Sequence, residues 1–155
     1  MRKFKDTDQP AWVLVVKENT SVYERKVLDA TRAFSSSHIH NLLWRRATEE
    51  DVERMYVVCL DGNNGIKCLS EVARGGLHGC SVSPRDILRI GLIAGASGII
   101  LVHNHPSGNP TPSAEDIAMT KLVQAAAEVV GLALLDHVII ASSTKYSSML
   151  DLGVM

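Results

Sequence analysis

Residues 101–117 read LVHNHPSGNPTPSAEDI and gather His103, His105, Ser113 and Asp116 around a bend marked by Pro106, Gly108, Pro110 and Pro112. Two imidazoles and a carboxylate form a donor set that suits zinc. In a strand, side chains i and i+2 leave the same face, so His103 and His105 can address one point if the strand runs as far as Pro106. Proline has no N–H to give to a ladder, which stops the strand there and leaves the histidines at its end, where a pocket can open. Asp116, on the first turn of the next helix, would return a third, anionic ligand. Three protein ligands leave a fourth position for water, the pattern of a catalytic rather than a structural zinc. Zinc lowers the pKa of such a water toward ~7, which makes hydroxide available at neutral pH.

Two other readings compete for the same residues. Ser113-x-x-Asp116 before an apolar helix is a capping box. Ser83-x-x-Asp86 repeats that pattern with no histidine nearby, so the serine–aspartate spacing alone does not require a metal. Against pure punctuation, a capped helix needs no histidines, and a buried strand end must give them partners to offset desolvation. An HNH nuclease fits less well, because those enzymes spread their named residues over a ββα unit, whereas His103-Asn104-His105 are consecutive.

The elements that must position these residues are legible around them. SGIILVH (97–103) is a short apolar run read as a buried strand, and NHPSGNPTP is the loop after it. Ser113 starts a helix whose expected buried stripe is Ala118, Leu122, Ala125, Ala126 and Val129, with Gly131 at its end. LALLDHVIIA is the next strand, and YSSMLDLGVM a tail able to add a short element. Upstream, ERMYVVCLD (53–61) and IKCLSEVA flank Asp61-Gly62-Asn63-Asn64-Gly65, a hairpin signal. SPRDILRIGLIAG (83–95) opens a helix with Ser83 as N-cap, Pro84 at the first position and Gly95 at the end. Ser35–Ser37 offer caps for a helix through HIHNLLWRR, with Leu42 and Leu43 as core positions; His38 and His40 receive surface roles and Arg45–Arg46 a solvated helix end. Gly75 and Gly76 mark a bend, to which His78 and Cys80 are assigned. AWVLVVK (11–17) is read as a strand or arm, with a turn at Asn19–Thr20. Alternating strands and helices, preceded by a hairpin, predict an α/β fold: a mixed sheet between helices in three layers. The domain is placed at 32–155, with 1–31 as an N-terminal arm packing on it.

Composition narrows the class. A net charge of −1 gives no global field for nucleic acid or anionic membrane. Cys59, Cys68 and Cys80 form no C-x-x-C pair, which argues against a disulfide framework and a cysteine-built zinc site. No run is long enough to span a bilayer, and no signal peptide is read at MRKFKDTDQP. A reducing, cytoplasmic setting is expected, with no membrane partner.

His103-Asn104-His105-Pro106-Ser107-Gly108, followed by Pro112-Ser113 and Asp116, resembles the H-x-H-x7-S-x-x-D core of the JAMM (MPN+) metalloproteases. The fuller wording HNHPSG…PTPSAED, with LLDHVII downstream, is similar to the RadC-type bacterial branch, and the resemblance runs from about Phe34 to the C-terminus. It implies a JAB/MPN fold related to that of cytidine deaminases. It also implies a zinc ion held by His103, His105 and Asp116, with Ser113 polarising the scissile carbonyl. The family's general base is a glutamate opening an earlier strand. Glu53, in Glu53-Arg54-Met55, matches that wording, and Glu71, in S-E-V, competes with it. His137 fits the downstream wording with a packing or supporting role.

The expected activity is therefore zinc-dependent hydrolysis of an amide, in a peptide or isopeptide substrate. The alternative is a nucleic-acid-linked accessory role, carried by the DNA-repair label of the RadC-type branch, with no or vestigial protease activity. A catalytically dead binding module is a further competitor. A zinc nucleobase deaminase is excluded, since H-x-E and P-C-x-x-C are both missing.

Overall fold

A computed structural model describes residues 32, 33, 35–49, 51–75 and 82–155. The expected arm at 1–31, its strand and turn, and the bend with Gly76, His78 and Cys80 lie outside the described residues.

Chain order is α1 (Ser36–Ala47), β1 (Arg54–Leu60), β2 (Ile66–Arg74), α2 (Pro84–Ile93), β3 (Gly98–Asn104), α3 (Ala114–Val129), β4 (Ala133–Ile140) and β5 (Tyr146–Ser148). The strands form one sheet in the order β2-β1-β3-β4-β5. Only β3 and β4 run parallel, joined by the α3 crossover; the other neighbours are antiparallel. The expected mixed α/β architecture is what the chain forms.

Central strands β1 and β3 are buried at every residue, as strands covered on both faces must be. On one face Met55, Val57, Cys59, Ile99 and Leu101 pack against Ile87 and Ile90 of α2 and Val123 and Ala127 of α3. On the other, Tyr56, Val58, Leu60, Ile100 and Val102 pack against Ile39, Leu43 and Ala47 of α1. These are the three layers. His103, two residues beyond Leu101, leaves the sheet on the α2–α3 side.

Local signals explain the element ends. Asp61 accepts the backbone N–H groups of Asn63 and Gly65, both at 2.8 Å, and closes the hairpin turn. Asn64 takes a positive φ of 61° there, which asparagine tolerates better than most residues. Ser35 caps α1 and Ser83 caps α2, with Pro84 at the first helical turn. The tail supplies β5 and the fully buried Met149.

Three expectations are corrected. His40 is buried, not a surface residue: its Nε2 lies 2.9 Å from the Ser142 carbonyl and its ring stacks on Tyr146 at 4.6 Å. In α1 the core positions are Ile39 and Leu43, while Leu42 is only half-buried. The stripe of α3 is rotated: Thr120, Val123 and Ala127 are buried, whereas Ala118, Leu122, Ala125 and Val129 are exposed and Ala126 half-buried. The physical reason for that rotation lies in polar side chains on the inner face.

Cys59 and Cys68 face each other across β1 and β2. Arg45 and Arg46 are solvated at the end of α1, as expected.

Candidate metal centre

β3 ends at Asn104, and the backbone N–H of His105 still bonds Ile140 O of β4 at 2.9 Å. The extended path therefore reaches His105, and both histidines project to one side. His105-Pro106-Ser107-Gly108 then turns the chain, closed by Gly108 N–H to His105 O at 3.0 Å. Gly108 takes φ +77°, a conformation that glycine adopts without a Cβ penalty. The chain returns at Ser113, which opens α3 with a reciprocal capping box: its Oγ accepts Asp116 N–H at 3.1 Å, and its own N–H bonds Asp116 Oδ2 at 2.8 Å.

One short segment thus delivers all three groups to one place. His103, His105 and Asp116 each offer a ligand atom, and these atoms lie within 4.8 Å of one another. The imidazole Nε2 atoms are 2.8 Å apart. Asp116 Oδ1 is 3.3 Å from His103 Nε2, and Oδ2 is 3.4 Å from His105 Nε2. The second ring nitrogens are engaged elsewhere: His105 Nδ1 with Asn109 O at 2.8 Å, and His103 Nδ1 with His137 Nε2 at 2.7 Å. Since a carbonyl only accepts, His105 keeps its hydrogen on Nδ1.

The charges follow this geometry. Asp116 raises the pKa of His105 above the ordinary imidazole value; burial opposes it, and Asn109 O and the Glu53 charge add to the rise. Burial works to raise the Asp116 pKa, but the two imidazoles outweigh it and hold the carboxyl far below the usual range. His137 is driven well below its ordinary value by burial first and by His103 second, so it is neutral.

Residues 33–154 match the family model described as a RadC-like JAB domain. The chain belongs to that family. Among its relatives are UPF0758 proteins of Syntrophomonas wolfei (37% identical over 117 residues, 76% of this chain and 49% of the relative), Pelobacter propionicus (42% over 107 residues, 68% and 46%) and Pasteurella multocida (37% over 132 residues, 84% and 58%). The chain spans about half the length of the curated relatives it matches. Among the described residues of this RadC-like JAB domain, no helix is long and apolar enough to cross a membrane.

The two glutamates fall in different surroundings. Glu53 immediately precedes β1, half-buried, and its charge acts on His105. Glu71 bonds Arg74 Nε at 3.0 Å and pairs with the buried Arg54 at 3.7 Å. The Arg54 guanidinium reaches Tyr56 OH, which belongs to the α1 side of the sheet, away from His103. Ser113 is exposed, and its hydroxyl donates to Asp116 Oδ2 at 2.7 Å.

Sequence reasoning missed two groups here. Asn104, between the histidines, bonds the backbone on both sides of Glu53. Thr120 is fully buried and joins His137 to α3 at 2.6 Å. A hydroxyl at i+4 from an expected ligand, on the same helical face, was the available signal.

Proposed function

We propose that this chain is a zinc-dependent hydrolase of amide bonds, acting on a peptide or isopeptide. The observation that carries this reading is the convergence of His103 Nε2, His105 Nε2 and the Asp116 carboxylate within 4.8 Å. Groups that present lone pairs and negative charge to one point need a cation among them. Two imidazoles and one carboxylate are a fitting donor set for zinc with a position left open. A bound zinc supplies Lewis acidity and acidifies a water toward pKa ~7.

The chain's own residues divide the remaining work. Glu53, whose charge reaches His105, takes a proton from the attacking water and delivers it to the leaving nitrogen. Ser113 offers its hydroxyl hydrogen to the carbonyl oxygen as negative charge grows there. In the resting site that hydrogen rests on Asp116 Oδ2, so substrate must exchange for this bond. Glu71 pairs with Arg54 and Arg74, which supports Glu53 as the base.

The test joins metal analysis to a peptide-library cleavage screen. The purified chain should carry about one zinc, lost in His103→Ala and in Asp116→Asn. Glu53→Gln should keep zinc and lose hydrolysis at least ~100-fold, whereas Glu71→Gln should retain both. Unchanged metal content in the two ligand variants removes the site. An active Glu53→Gln beside an inactive Glu71→Gln reverses the assignment of the base.

A further inference from the structure

Beneath the three converging groups runs a buried polar chain: His103 Nδ1 to His137 Nε2 at 2.7 Å, His137 Nδ1 to Thr120 Oγ1 at 2.6 Å, and Thr120 Oγ1 to Asp116 O at 2.6 Å. His137 and Thr120 are fully buried and His103 is nearly so. Proton positions along such a chain follow from its fixed end, because each member either donates or accepts at each contact.

The fixed end is the Asp116 carbonyl, which can only accept. Thr120 must therefore spend its hydroxyl hydrogen there, and its oxygen is left to accept from His137. That places the His137 hydrogen on Nδ1. A neutral imidazole then has a bare Nε2, which accepts from His103 Nδ1–H. Neutral His103 is left with a bare Nε2, the atom facing His105 and Asp116. The reverse polarity, with Thr120 donating to His137, would set Thr120 Oγ1 against the Asp116 carbonyl as two acceptors only 2.6 Å apart, an arrangement that buried groups avoid.

We propose that Thr120 and His137 are positioning residues that fix His103 as its Nδ1–H tautomer, so that its Nε2 lone pair stays aimed at the cation site. The value of this tautomer to a metal rests on the metal-site reading above, but the tautomer itself does not. Asp116 is engaged twice: its carboxylate faces His103 Nε2, and its main-chain oxygen starts the chain that ends on His103 Nδ1. One helix turn, from Asp116 to Thr120, therefore sets both the anionic ligand and the hydrogen of the first imidazole. Valine would have the shape of Thr120 and suit the apolar layer beside Val123. A buried hydroxyl in its place is costly without both of its bonds.

The test uses the full chain labelled with 15N-histidine. Long-range proton–nitrogen spectra, recorded with zinc removed, read the tautomers of His103 and His137 directly, and chelator competition reads zinc affinity. The unaltered chain should show His103 and His137 both protonated on Nδ1, and Thr120→Ser should preserve that pattern with zinc affinity within about threefold. Thr120→Val should populate the other tautomer of His103 and weaken zinc by roughly 10–100-fold, the range for losing an outer partner of a ligand. Val123→Ala, a destabilising change on the same helix that leaves the chain of bonds intact, should alter neither readout. A His103 found protonated on Nε2 in the unaltered neutral protein overturns the proposal, whether or not Thr120→Val folds. So does a Thr120→Val chain with unchanged tautomers. A chain that shows the expected tautomers yet binds no zinc overturns the metal-site reading and leaves the tautomer assignment standing.

Discussion

Asn104 accepts the backbone N–H of Arg54 on its side-chain oxygen at 2.7 Å, and its amide nitrogen donates to Val52 O at 2.9 Å. The residue between the two histidines thus grips the chain on both sides of Glu53. A third tie, from Gly75 N–H to Glu53 O at 2.7 Å, holds the same residue from the position just after β2. The proposed ligands and the proposed base are therefore set by one strand end: its histidines face the cation site, and its asparagine fixes where β1 begins.

Asn104→Ala should accordingly separate metal binding from catalysis. It leaves Arg54 N–H and Val52 O without partners, at a cost of roughly 1–3 kcal/mol in denaturant unfolding. Zinc content should match that of the unaltered chain, while turnover of a peptide substrate falls. Unchanged turnover in a folded, zinc-loaded variant would show that Glu53 needs no such positioning.

Two serine–aspartate pairs with identical spacing behave differently. Ser113 and Asp116 complete the reciprocal box, and the same carboxylate reaches both histidines. Ser83 instead accepts from Arg85 N–H, and Asp86 lies 3.8 Å from both Arg85 Nε and Arg89 Nη2. Asp86→Asn should therefore change stability by no more than about 1 kcal/mol and leave zinc untouched. Asp116→Asn should abolish zinc binding. Equal effects on zinc in the two variants would return Asp116 to a capping role alone.

The site was more legible than the helix that carries it. A strand, a proline stop, a glycine turn and a capped helix are all local signals, so residues 97–117 could be placed without knowing the rest of the fold. The face of α3 could not be read by counting apolar residues. Leu122 and Val129 suggested one stripe, but Asp116 must meet the histidines and Thr120 must meet His137, which turns Val123 and Ala127 inward. His40 escaped for a similar reason: its partners, Ser142 O and Tyr146, lie about a hundred residues away in sequence. Likewise, nothing local says that Glu71 will be taken up by Arg54 across the hairpin.

That rotated helix face gives a third prediction. Leu122 is 59% exposed and Val123 fully buried. Leu122→Gln should alter unfolding free energy by no more than about 0.5 kcal/mol, whereas Val123→Ala should cost about 1–3 kcal/mol as a cavity opens. The opposite order would restore the stripe expected from apolar spacing.

Protonation supplies the last test. In the zinc-free chain, Asp116 raises the pKa of His105 above its ordinary value. A folded pKa above the unfolded one means that the bound proton stabilises the fold. This contribution is fully present below the ordinary imidazole value of ~6.5 and is lost as pH rises through the higher folded value. Burial of His137 acts in the opposite direction, because its folded pKa lies below the ordinary value, so the His105 contribution is read as a difference between variants. The unaltered zinc-free chain should exceed Asp116→Asn in melting temperature by more at about pH 6 than at about pH 8.5. At the proposed site zinc should reverse the dependence, because the ion would have to displace the same proton from His105 Nε2. Its affinity, followed by chelator competition, should begin to fall on acidification while the pH is still above ~6.5, and then drop roughly tenfold per pH unit. Affinity that stays level down to about pH 5.5 would show that His105 does not give Nε2 to the ion.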